Sequence, residues 1–361
     1  MIYFYPHPYL RDRQLDTIRQ WNQNKVINPE IANNRQGDQV SKKQAVSSKN
    51  SLSWKQKIPL INIKLRPKGI PKDAIVYVWG GLIATGDFII DIDNPWCMVG
   101  YNLKAMPIYK FLIKKVLLSS RCREIRCMSK ACKKSLLEVF GKEVYDKAQV
   151  CYPYMPQMVT TIQEKDNDIV RFLFIGTQFE IKGGEALLNA FIKVYEKNKN
   201  CHLDIITHLP IKLEKIINEC NGISFYDANF SRNEIQEKFM KNSDVLIHPT
   251  YAESFGMVVL EALSYGLAII STDVYALREM VLMNKNGVLI NPPVSNWDNV
   301  LPSKFYYNYK NAKKHILETD TRAFEANISS EIERFILDKN WRYKARTASV
   351  KLMSNRFITY E

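Results

Sequence analysis

Residues 244–273 read DVLIHPTYAESFGMVVLEALSYGLAIISTD, and the fold follows from them. Asp244–His248 is a short apolar run of strand length, Gly256–Tyr265 is apolar on nearly every side, and Ala268–Ser271 is apolar again. A strand, a buried helix and a second strand in this order form a βαβ unit with parallel strands.

Working outward, the same alternation continues. Val170–Ile175 reads as a buried strand, apolar apart from Arg171, and Gly183–Glu196 as a helix with Ala186, Leu187, Ala190, Phe191 and Val194 on one stripe. His202–Thr207 is a strand and Ile211–Cys220 a helix. Ser231-Arg232-Asn233-Glu234 is a capping box, opening a helix with Ile235 and Phe239 on its core face. Ala276–Leu282 is a helix and Gly287–Ile290 a strand. Such alternation predicts a parallel sheet wrapped on both faces, with ligands at the carboxyl ends of its strands.

The first half is looser. Strands are expected at Ile2–Tyr5, Ala74–Trp79, Asp87–Ile92, Glu124–Met128 and Gln149–Tyr152, with Ser129 placed to cap a helix from Lys130. Asn33–Lys57 is polar, has no apolar period, and reads as a long mobile loop. The expected organisation is a first domain over 1–158, a linker over 159–168, a second domain over 169–335 and a helical segment over 336–361 that could pack back on the first domain.

Charge separates the halves. Residues 1–160 hold 26 Lys and Arg against 12 Asp and Glu, whereas residues 161–361 hold 25 of each. The whole net charge of +14 therefore sits on the first half, where it attracts phosphate groups. Lys104, Lys110, Lys114 and Lys115 interleave with Ile108, Phe111, Leu112 and Ile113 in a basic amphipathic stretch, suited to an anionic membrane or to a core with solvated lysines. No apolar run reaches the ~18–20 residues needed to span a bilayer, and the N-terminus has no signal-peptide pattern. Seven cysteines without a CxxC fit a reducing cytoplasm, and the spacing of Cys122, Cys127 and Cys132 matches no metal site.

Two loops after strands carry the chemistry. Gly176 to Gly184 ends in Lys182-Gly183-Gly184, which would offer backbone N–H groups and one cation to an anion; the P-loop spacing is absent. After His248, the helix beginning near Ser254 to Gly256 has N–H groups without intrahelical partners. Glu253 sits at that mouth, where a carboxylate accepts bonds from vicinal hydroxyls. Glu261 lies roughly 7–8 Å farther along the helix, on a nearly all-apolar surface, and needs a partner: a ribose diol, or a nearby cation or backbone group. Sugar hydroxyls, a diphosphate and a diol make a nucleotide-sugar.

The stretch Glu253 to Glu261 resembles the E-x7-E motif of the retaining GT-B glycosyltransferases of family 4, and Gly176 to Gly184 resembles their G…KG donor loop. The resemblance covers about residues 168–292. It implies two Rossmann-like parallel-sheet domains facing a cleft, and transfer of a sugar from a UDP- or GDP-sugar to a glycan or lipid-linked acceptor. The setting implied is capsule, exopolysaccharide or lipopolysaccharide assembly at the inner face of the membrane, in the cytoplasm, with no metal or other cofactor. Lys182 would neutralise the departing diphosphate. Gly176, Thr177, Gly183 and the Ser254-Phe255-Gly256-Met257 backbone would contact phosphate and sugar, with Glu253 on the sugar hydroxyls and Glu261 on the ribose. Thr177 departs from the family, which often has Arg there. The first domain would hold the acceptor and supply a catalytic group, Asp93, with Asn94 or His7 as alternatives. Two rival functions remain: a nucleotide-sugar epimerase or hydrolase on the same architecture, and a basic nucleic-acid-binding protein, for which no recognition motif speaks.

Overall fold

The computed structural model describes residues 1–6, 10–33, 58–163, 169–208, 220–304 and 309–357. The chain divides into two compact units, one up to Tyr154 and one from Met155 on. The polar segment 34–57, His7 and most of the helix expected at 211–220 lie outside the described residues.

In the first unit five strands pair in parallel in chain order: β1 (Ile2–Phe4), β2 (Ile75–Trp79), β3 (Phe88–Ile92), β4 (Cys122–Cys127) and β5 (Ala148–Val150). All five coincide with expected strands to within two residues. Helix α1 (Asp12–Gln20) lies over β1 and β2, where Phe4, Trp21, Tyr77 and Trp79 form an aromatic cluster with ring centroids 5.0–5.9 Å apart. Helix α2 (Ala105–Leu118) is the basic amphipathic stretch. Ser129 caps α3 (Lys130–Phe140) by accepting the Cys132 N–H at 2.9 Å, and α4 (Lys142–Lys147) follows.

The second unit is built on six parallel strands. In chain order they are β6 (Val170–Ile175), β7 (Cys201–Thr207), β8 (Ile223–Asp227), β9 (Val245–His248), β10 (Ala268–Thr272) and β11 (Gly287–Ile290). In space they lie β8-β7-β6-β9-β10-β11, so the winding reverses between β6 and β9. Crevices open at the carboxyl ends of two such strands, because their following helices go to opposite sides. Strand β8 was not anticipated: it is an edge strand of mixed, half-exposed residues, so no continuous apolar run marks it.

One face of this sheet, bearing Phe172, Phe174, Leu203, Ile205, Val245 and Ile247, is sealed by Leu187 and Phe191 of α5 (Gly184–Lys197) and by Ile328, Ile332 and Phe335 of a long helix, Arg322–Leu337. On the other side run α6 (Arg232–Lys238), opened by the Ser231 capping box, and α7 (Met257–Ser264). The C-terminal helix Lys339–Leu352 packs against α7 and β10. Arg346 on it pairs with Asp244 at 2.7 Å, and the Ser349 hydroxyl donates to the Leu267 carbonyl at 2.6 Å.

Gly183 lets the two functional loops touch. Its φ is +76°, and a Cβ there would come 2.0 Å from the Pro249 carbonyl oxygen. Gly183→Ala is therefore expected to cost about 3 kcal/mol or more, read as a lost or strongly lowered unfolding transition, since the obstacle is backbone rather than a movable side chain.

Candidate functional site

Lys182 follows β6 and Glu253 follows β9, the two strands flanking the reversal. Their side chains meet: the Lys182 ammonium donates to Glu253 Oε2 at 2.8 Å and to the Ala252 carbonyl at 3.0 Å. An ammonium has three N–H donors, so one is left for a ligand. The lysine stem passes over Gly176, where a Cβ would sit 2.9 Å from Lys182 Cγ. The loops are also tied through their backbones, with the Tyr251 N–H donating to the Ile181 carbonyl at 3.0 Å.

Glu253 is held from four directions. His248 Nε2 lies 3.2 Å from the Oε2 that takes Lys182, and the Ser254 N–H donates to Oε1 at 3.0 Å. The Trp297 indole donates to the Glu253 carbonyl at 2.7 Å and is stacked on Tyr275, centroids 3.9 Å apart. Burial works to raise the carboxyl pKa, but the Lys182 charge and the His248 bond overcome it and hold the group well below the usual glutamate range. His248 goes the other way: burial lowers its pKa against the pull of Glu253, so at neutral pH it is an uncharged Nε2–H donor. Its Nδ1 is buried without a partner among the described residues. Because the Glu253 pKa is depressed, the pair's stabilisation is complete above the ordinary value of 4.5 and fades as pH falls below it. Glu253→Gln is expected to flatten the acid limb of a melting-temperature profile below that pH.

The glycine loop supplies less than its sequence suggests. The N–H groups of Lys182, Gly183 and Gly184 donate to the carbonyls of Gln178, Glu180 and Phe179 at 2.9–3.1 Å. The loop coils on the buried Phe179 ring and spends these donors on itself, so they are not free for an anion, contrary to the expectation. Thr177 is exposed on the same loop. Charge at this end comes from the Lys182 side chain and from α7. Gly256, at φ +97°, begins α7 with no side-chain cap, ahead of the half-buried Met257; Phe255 is buried beside it. A Cβ on Gly256 would meet Leu277 Cδ2 at 2.6 Å, so the close turn requires glycine.

Glu261 has a protein partner. Arg232, the first residue of α6, places Nε 2.9 Å from Glu261 Oε1, and both side chains keep about a fifth of their surface exposed (20% and 17%). The cation-partner alternative is thus present in the structure. In the sequence Ser231–Glu234 shows only as a helix start, which gives no sign of Arg232 as a site residue. His248, Tyr275 and Trp297 were missed also, since nothing in their local spacing marks them.

Asp93 belongs to the first unit, just past the end of β3. The Tyr101 hydroxyl donates to it at 3.2 Å and the Asn94 N–H at 2.9 Å, while burial raises its pKa. Asp91 is committed to structure, paired with Arg13 at 3.2 Å and accepting from the Tyr77 hydroxyl at 2.8 Å. Asn94 is buried and its side chain accepts the Trp96 N–H. On α2, Lys104, Lys110 and Lys115 are exposed, and Lys114 pairs with Glu143 at 2.7 Å. Between them Ile108 and Phe111 stand 62% and 88% exposed, so this face is not a core face. No described helix is long and apolar enough to cross a membrane.

Residues 160–301 match the family model for glycosyl transferases group 1. An uncharacterized glycosyltransferase of Methanocaldococcus jannaschii is 27% identical over 220 residues, covering 54% of this chain and 55% of that protein. An uncharacterized 41.2 kDa protein in the cps region of Klebsiella pneumoniae is 33% identical over 128 residues, covering 36% and 34%. The lipopolysaccharide glucosyltransferase WaaG of Escherichia coli is 27% identical over 136 residues, covering 37% and 35%. The chain thus spans about half or less of the curated relatives it matches. Among solved structures, Anabaena HepE in complex with UDP-glucose superimposes with a TM-score of 0.59 at 12% identity, covering 99% of this chain and 94% of that one. WaaG, described as involved in lipopolysaccharide biosynthesis, gives 0.55 at 13% identity, covering 99% and 96%. The fold is that of these GT-B structures, and the match to the glycosyl transferase group 1 model is confined to residues 160–301.

Proposed function

We propose that this chain is a retaining glycosyltransferase of family 4, moving a sugar from a UDP- or GDP-sugar to a glycan or lipid-linked acceptor in surface polysaccharide synthesis. The observation that carries the reading is the 2.8 Å contact between Lys182 and Glu253 at the reversal point of the parallel sheet. There an ammonium with a spare N–H can take a diphosphate oxygen as the glycosyl bond breaks, and a carboxylate kept ionised can accept from sugar hydroxyls. Leaving-group charge is stabilised by this cation and the α7 N-terminus, without a metal in the scheme. The named functions of the relatives support the setting, and the UDP-glucose held by HepE supports the donor class.

In this reading the first unit holds the acceptor, with Asp93 as its reacting carboxyl, and α2 rests on the anionic cytoplasmic face of a membrane. Exposed Phe111 and Ile108 would enter the lipid between Lys110 and Lys115, a pairing of apolar surface and positive charge that suits such a boundary. Phe111→Glu with Lys110→Glu should abolish sedimentation with phosphatidylglycerol-containing vesicles, each charge near the surface being worth about 1 kcal/mol. Unchanged sedimentation would remove α2 from this role.

Thermal-shift measurements with UDP- and GDP-sugars test the donor: a bound one raises the melting temperature by mass action. Release of free sugar from donor alone, undiminished by Asp93→Asn, would replace transfer by hydrolysis.

A further inference from the structure

The second unit has a cavity away from Lys182 and Glu253. It encloses about 470 Å³ over the sheet face opposite α5. Its floor is made of Arg171, Asp204 and Tyr226, which share that face by strand register, together with Asp244 just before β9. Lys238 and Phe239, at the end of α6, form one wall; Lys339, Arg342, Tyr343 and Arg346 of the C-terminal helix form the other. Arg171 lies near the amino end of β6, five strand residues before Gly176 and hence about 16 Å from the end where Lys182 follows. This hollow is separate from the proposed donor site.

Its charge is unbalanced. Five cations line it against two carboxylates. Asp244 is taken by Arg346 at 2.7 Å and by the Arg171 N–H at 3.0 Å, and Asp204 stands 4.0 Å from Arg171 and 3.5 Å from His202. That leaves three cations with no carboxylate of the cavity for a partner. Lys238 stands 3.8 Å from Glu234, outside the cavity, and 5.4 Å from the centroid of the Phe230 ring. Lys339 has no ion pair among the described residues. Arg342 gives one nitrogen to the carbonyls of Phe335 and Ile336, which end the preceding helix, and keeps other N–H donors. Burial lowers the pKa of both Arg342 and Arg346, the mark of guanidinium groups held away from water. Beside these cations stand Tyr226 and Phe239, edge to face at 4.8 Å, and Tyr343. Cations and aromatic rings lining one cavity match a phosphate attached to a ring.

We propose that this cavity is a second ligand site, for a small phosphorylated compound bearing a ring. Its phosphate is bound by Lys238, Lys339 and Arg342, and its ring lies against Tyr226 and Tyr343. The site does not depend on the glycosyltransferase reading. A change in it can still reach the donor site, because α6 carries Lys238 at one end and at the other Arg232, the partner of Glu261.

The probe is phenyl phosphate, with inorganic phosphate as the ring-free comparison, titrated calorimetrically into the full chain. Three proteins are compared: wild type, Lys182→Ala, and the exposed-lysine double variant Lys238→Glu with Lys339→Glu. Binding is expected in wild type and in Lys182→Ala, tighter for phenyl phosphate than for phosphate. It should weaken at least tenfold in the double variant, the loss of two charge-assisted contacts. Circular dichroism and melting temperature confirm that the double variant is folded; should it not be, Tyr343→Ala replaces it and must remove the preference for the ring. No binding to wild type, binding lost in Lys182→Ala alone, or binding unchanged in the cavity variant would each overturn the site.

Discussion

Lys182→Ala is expected to lower the turnover of sugar transfer about 10²–10³-fold at saturating donor, the cost of removing one preorganised donor from developing negative charge. It should also destabilise the protein, because Glu253 would keep its burial and lose the cation that offsets it. Both side chains are about four-fifths covered, at 20% and 18% exposure, so the loss is on the order of 1–3 kcal/mol. These two effects separate on a second substitution. Adding Glu253→Gln to Lys182→Ala removes the stranded carboxylate, so the double variant should melt higher than Lys182→Ala alone while remaining as slow or slower. Turnover restored along with stability would mean that the lysine only serves the fold. Full activity in Lys182→Ala would remove the lysine from the chemistry.

That this pair could be read from sequence at all has a physical cause. A parallel sheet puts every strand-to-helix loop on one edge, so apolar runs at 170–175 and 244–248 fix where the following residues go before any contact is known. Lys182 and Glu253 sit in those loops, and the order of strands then makes them neighbours. The same logic fails for residues that arrive from the middle or far side of an element. Arg232 opens a helix whose sequence mark is its cap, and its meeting with Glu261 depends on how α6 and α7 pack. Trp297 reaches the Glu253 backbone from a short irregular segment with no period. Local bonding hides in the same way: the glycine loop reads as open, yet the depth to which Phe179 is buried decides that its N–H groups turn inward. Strand β8 escaped because an edge strand needs only part of an apolar pattern.

Glu261 is where both readings made from sequence still compete, and its substitution decides between them. Suppose the carboxylate binds a ribose diol, with Arg232 fixing its position on α7. Glu261→Gln then loses charged hydrogen bonds to the donor, worth about 1.5–3 kcal/mol, and the KM for donor should rise roughly 10–100-fold with a much smaller change in kcat. Arg232→Ala should raise it only a few-fold, since the carboxylate remains. If Glu261 instead serves only to neutralise Arg232, the two single variants should lose similar stability and leave the KM for donor unchanged. The double variant, Arg232→Ala with Glu261→Gln, adds the decisive comparison. A structural pair removed whole restores stability and has no kinetic defect, whereas a ribose-binding carboxylate removed with its partner keeps the full loss in donor affinity.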